Sequence, residues 1–158
     1  MLLFVFAVFL LPAFARNQAS APRQVPSDVR AACDMAYRIA TNTPGASVRR
    51  RTGTFNDETL RRPVFGCGLD ISGSFKRAEK TGDVSVRLRE SFMGAAWQEM
   101  GAYSADGTDG TSFAFRKGVV ACLVRGTWNG GADDPAVPPE DWYKVAVFCT
   151  NPPFPDEH

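Results

Sequence analysis

The chain has 158 residues, 44% of them hydrophobic, with four cysteines, one histidine and a formal net charge of +1. That length supports one domain with its own core. A charge so close to zero gives no global field to favour nucleic acid or an anionic membrane. The charge is nonetheless uneven, with +6 on residues 1–80 and −5 on residues 81–158. Either the halves neutralise each other within the fold, or Arg49-Arg50-Arg51 and Arg61-Arg62 form a basic face that meets an acidic partner or envelope polymer.

Met1 to Leu11 is an unbroken apolar run, followed by Pro12 and the triplet Ala13-Phe14-Ala15. An apolar core of about ten residues closed by a small-x-small triplet reads as a secretory leader cleaved after Ala15. It is too short to span a bilayer as a helix, which takes roughly 20 residues. The expected mature chain begins at Arg16, is periplasmic or secreted, and keeps no transmembrane anchor. The run lacks the Lys or Arg that usually precedes it, which either a misplaced start codon or a lone positive charge on the α-amino group would explain. Fourteen arginines against four lysines suggest a GC-rich bacterial genome. Residues 16–26 read as a flexible lead-in, 27–150 as a single α+β domain and 151–158, with three prolines, as a disordered tail.

Within the domain, Ser27 is positioned to cap a helix that carries Val29, Cys33, Ala36, Tyr37 and Ala40 at helical spacing, and Asn42-Thr43-Pro44-Gly45 stops it. Phe65, Cys67, Leu69, Ile71 and Phe75 then alternate with Gly66, Gly68, Asp70, Ser72 and Ser74, a strand with one apolar face. Asp83 is placed to cap a second helix running to about Gly101, with Leu88, Phe92, Ala95, Ala96 and Met100 as its stripe, although Val84, Val86 and Leu88 also alternate as a strand would at its first turn. Gly94 weakens that helix by roughly 1 kcal/mol relative to Ala.

Lys117-Gly118 reads as a two-residue hairpin turn, which pairs Phe115 with Val120 and Phe113 with Cys122. A longer connection through Asn129-Gly130-Gly131 and Pro138-Pro139 leads to a last strand. Symmetric pairing there sets Cys122 opposite Cys149, Val124 opposite Val147 and Trp128 opposite Tyr143. One face then gathers Phe113, Phe115, Val120, Cys122, Val124, Val145, Val147 and Cys149, while Ser112, Arg116, Arg125, Thr127 and Lys144 fall on the other. The expected fold is a small α+β domain, mainly an antiparallel four-stranded sheet with two helices on one face.

No two cysteines have C-x-x-C spacing, so an oxidising compartment makes two disulfides the natural reading. Spacing alone leaves three connectivities open. The strand register favours Cys122–Cys149. Cys33 and Cys67, each on the apolar side of its element, make the other bridge.

Chemistry is narrowed by what is missing. The single histidine is His158, which removes Ser-His-Asp and Cys-His machinery and His-ligated zinc. Phosphate-loop and dinucleotide fingerprints do not occur, and no cofactor is expected. Carboxylate chemistry of the glycosidase kind survives, with Glu90, Glu99, Asp106, Asp109, Asp133, Asp134, Glu140 and Asp141 as the stock. Nothing in their spacing selects a pair, so no catalytic residue is assigned. Asp106-Gly107-Thr108-Asp109-Gly110-Thr111 resembles an oxygen-rich calcium loop only loosely. Its twelfth position is Lys117 where an EF-hand needs Glu, so a Gly-rich hairpin connection is expected and no metal. Trp128, Asp133, Asp134 and Trp142 cluster around the long connection, and aromatics beside acids there are the candidate binding surface. Cross-strand packing accounts for Trp128 equally well. The expected function is a non-enzymatic binding or inhibitory module of the cell envelope, with another envelope or secreted protein or a glycan as partner. The alternatives are a carboxylate-dependent hydrolase of envelope polysaccharide and a structural envelope protein.

Overall fold

The computed structural model describes residues 23–57, 61–74, 84–107, 110–128 and 143–151. In chain order these form α1 (Ser27–Thr41), β1 (Ser47–Asp57), β2 (Arg62–Gly73), α2 (Val84–Gly94), β3 (Gln98–Glu99), a 3-10 turn (Gly101–Tyr103), β4 (Ala105–Gly107), β5 (Gly110–Lys117), β6 (Val120–Trp128) and β7 (Tyr143–Thr150). All strand pairs are antiparallel. They make one sheet of order β1-β2-β7-β6-β5-β3, with β4 also on β5. The α+β class stands; the sheet has seven strands, where four were expected.

The three strands missing from the sequence reading share one cause. β1 lies at the sheet edge, and its sequence SVRRRTGTFND has no apolar alternation to betray it. β3 and β4 have two and three residues, too few for any period.

α1 and α2 cover one face. Val29, Cys33, Ala36 and Ala40 of α1 and Leu88 and Phe92 of α2 bury against Leu69, Phe115, Val124, Val147 and their row neighbours. Phe92 stacks on Phe115 with ring centroids 5.3 Å apart. Tyr37, assigned to the apolar stripe of α1, is instead 36% exposed, and Ala32 takes a buried place. Ser27 does not cap this helix. The Arg30 N–H already donates to the Pro26 carbonyl at 2.9 Å, so the helix starts a residue earlier, with Pro26 in the cap position.

α2 ends at Gly94, seven residues short of the expected stop. The Trp97 N–H donates to the Phe92 carbonyl at 3.0 Å and the Ala96 N–H to the Met93 carbonyl at 3.0 Å, while Ala96 adopts φ 59°. This is a Schellman closure, completed by an edge-on contact of Trp97 with Phe92 at 5.0 Å. An alanine in the left-handed region is unusual, which is why Ala95-Ala96 read as helix. Ala96→Gly removes that strain and is expected to stabilise the fold by about 1 kcal/mol, seen as a higher urea midpoint at unchanged slope. Asp83, the expected cap, lies outside the described residues. Met100 leaves the helix altogether and buries with Ala114 and Ala121 on the opposite face of the sheet.

The β6–β7 register has Cys122 opposite Cys149, Val124 opposite Val147 and Trp128 opposite Tyr143. The β5–β6 register differs from the sequence reading by two residues, with Phe115 opposite Cys122 and Lys117 opposite Val120. Gly118 and Val119 make the turn, and Gly118 at φ 59° suits the first position of a II′ turn. A two-residue slip preserves side-chain parity, so the sorting of residues between faces is unaffected. Disulfides join Cys33 to Cys67 and Cys122 to Cys149, and no described cysteine is free.

Candidate functional site

The expected binding surface around the long connection does not assemble in the described residues. Trp128 is half-buried and packs against the helix-side core, in the cross-strand aromatic role. Asp133, Asp134 and Trp142 lie outside the described residues. The basic run Arg49-Arg50-Arg51 is divided by strand alternation. Arg50 turns to the helix side and pairs with Asp34 of α1. Arg49 and Arg51 turn to the other side, where both donate to Asp70 at 3.1 Å. Arg61 adopts φ 50° in the turn before β2, and Arg62 begins that strand, opposite Asp57.

Among the described residues, the carboxylates read from the sequence do not converge. Glu99 accepts hydrogen bonds from Arg89 at 2.8 Å and from Ser104 at 3.4 Å. Asp106 accepts one from the Thr111 hydroxyl, and Glu90 is exposed on α2. Asp109, Asp133, Asp134, Glu140 and Asp141 lie outside the described residues. Gly107 pairs with Gly110, so the glycine-rich run is a hairpin connection between β4 and β5. Among the described residues no group of His, Cys, Asp and Glu is arranged to hold a metal ion, and no helix is long and apolar enough to cross a membrane.

What the fold does assemble is a groove of about 340 Å³ on the face of the sheet opposite the helices. β1 supplies Arg51, Phe55 and Asn56. β7 supplies Ala146 and Phe148, β6 supplies Leu123 and Arg125, and β5 supplies Ser112. The 3-10 turn and the residues after it, Ala102 to Ala105, form the far wall. Ser112 ties that wall down, its hydroxyl donating to the Tyr103 carbonyl at 3.0 Å.

The near wall is a stack that begins with a glycine. Phe55 lies against Gly68 so closely that a Cβ there would sit 2.4 Å from its ring. The other neighbour of Phe55 is Phe148, with centroids 3.5 Å apart. The Arg51 guanidinium lies 3.8 Å from the Phe55 centroid, a cation–π contact. Its Nε donates to Asp70, so the head group is fixed from two sides.

Comparison with known proteins adds nothing to this geometry. The chain matches no protein-family model, no curated protein and no solved structure. The groove's own chemistry is therefore the guide. Its apolar and aromatic side chains offer contact area, its two guanidiniums and its hydroxyls and amide offer donors, and among the described residues no carboxylate lines it.

A second concavity continues along the same face, lined by Ser47, Arg49, Asp70, Ser72 and Lys144, and shares Ala146 with the first. Alternation therefore sets Arg49, Arg51, Arg62, Arg116, Arg125 and Lys144 on one face, with Asp70 the shared acceptor of Arg49 and Arg51. The missed residues are Phe55 and Phe148. Phe148 had a legible signal, since it is a large aromatic on the polar parity of its strand. Phe55 had none, because the strand that carries it was itself invisible.

Proposed function

We propose that this protein is an exported, disulfide-stabilised bacterial binding or inhibitory module of the cell envelope, non-enzymatic, that engages its partner through the helix-free face of the sheet. One observation supports this reading above the others. The groove between Phe55, Phe148 and Tyr103 is a concave, largely apolar site with a few convergent polar groups, the usual composition of a binding pocket. It is built on strands, and its stacked wall is held by packing and an ion pair, so little order is lost on binding. β6 and β7 contribute its floor. The cysteine bridges fit an oxidising compartment, and the apolar leader expected at residues 1–15 fits the same route.

Photo-cross-linking in the producing cells tests the reading without knowledge of the partner. A benzoyl-phenylalanine at Ser104, exposed on the groove rim, is expected to give a discrete adduct. The same residue at Met93, exposed on α2, is expected to give none. Adducts from Met93 alone would remove the helix-free face from consideration.

A further inference from the structure

The donor–acceptor balance of the groove narrows its ligand. Guanidinium groups only donate hydrogen bonds, and the hydroxyls and amide nearby do both, while among the described residues no carboxylate lines the site. A sugar presents many hydroxyls that must donate as well as accept, and carboxylates are the groups that receive them. A charged group that only accepts is better matched. The volume of about 340 Å³ lies at the small end for ligand sites, which suits a small molecule. The walls are aromatic and aliphatic, so most of that volume is to be filled by apolar atoms.

Resting on the binding reading above, we propose that the groove takes a small amphiphilic carboxylate: a ring-bearing or branched apolar body seated between Phe55, Phe148 and Leu123, with its anionic group on Arg51. Arg51 is suited to this by what holds it. It gives Nε to Asp70 and its face to Phe55, so its orientation is set before a ligand arrives, and only Nε is used in that ion pair. A planar guanidinium fixed in this way matches a carboxylate better than a mobile ammonium would. Arg125 adds a second positive charge on the same lining, and Lys144 and Arg49 extend the positive potential along the adjoining concavity. Free monoanions are thus drawn along the face toward the apolar seat.

The test uses two probes of one skeleton on the oxidised protein. 8-Anilinonaphthalene-1-sulfonate carries an anion on a multi-ring body, and N-phenyl-1-naphthylamine is the same body without it. Fluorescence titration is expected to show saturable one-to-one binding of the anionic probe, tighter than the neutral one and weakened by salt. Arg51→Gln should lower affinity for the anionic probe by about ten-fold and leave the neutral probe unchanged. Ala146→Glu, at an exposed strand position in the floor, should abolish anionic binding with the near-ultraviolet circular dichroism preserved, which keeps the test informative if Arg51→Gln folds poorly. Equal binding of both probes, or anionic binding indifferent to both substitutions, overturns the proposal. So does Arg51-dependent binding to phosphatidylglycerol vesicles with no binding of the free probe, since the site would then read a membrane. Failure here beside a Ser104 adduct in cells would discard the carboxylate ligand and keep the binding face.

Discussion

Replacing Cys33 and Cys67 together by alanine is expected to lower the unfolding free energy by about 4 kcal/mol. The bridge closes a loop of 34 residues and is the covalent link between α1 and the sheet. Both cysteines are buried, at 0% and 1% exposure, so lost packing adds to the lost constraint. A domain of this size has only about 5–15 kcal/mol in hand. Urea unfolding of the double variant should therefore show a much lower midpoint. The single variant Cys33→Ala should behave differently. Cys67 is paired across the sheet with Cys149, and Cys149 in turn with Cys122, so three cysteines lie in one row. The thiol left on Cys67 is next to the second bridge and is expected to exchange with it. Peptide mapping of the single variant should then recover Cys67–Cys149 beside the native pair. A single variant with only Cys122–Cys149 would show that the row is too rigid for exchange.

The second large effect comes from a residue with no side chain. A Cβ on Gly66 would sit 2.1 Å from the Cys149 backbone oxygen, so Gly66→Ala drives β2 away from β7 in the middle of the sheet. Backbone does not give way as a side chain does. A loss of about 3 kcal/mol is expected, at the upper end of overpacking costs. Gly53→Ala is the matched control, because nothing lies within 4 Å of the added atom and the strand is at the edge. Thermal melts of the two variants should separate clearly. Equal melts would mean that β2 and β7 are not in close register.

These two cases mark what the sequence could and could not reveal. The row of cysteines was legible because β6 and β7 are long, alternate strictly and each carry a cysteine on the apolar parity, so one register sorts every residue. The helix layer was legible through Val29, Cys33 and Ala36, and again through Leu88 and Phe92. The end of α2 was not, since an alanine adopts the conformation in which a glycine is usual. The groove was hidden for a deeper reason. Its walls come from β1, β6, β7 and the 3-10 turn, residues far apart in sequence, and its key aromatic sits on an edge strand whose arginines look like a solvated charge cluster. Gly68 read as one polar-face residue among several, when its missing side chain is what lets Phe55 lie on the sheet.

The most direct test is a native mass spectrum of the protein isolated from its own cells without reductant. The predicted species begins at Arg16, is four hydrogens lighter than the reduced chain, and so carries both bridges after export. A species that retains Met1 and four free thiols would contradict export, and the bridged scaffold on which the binding face depends would go with it.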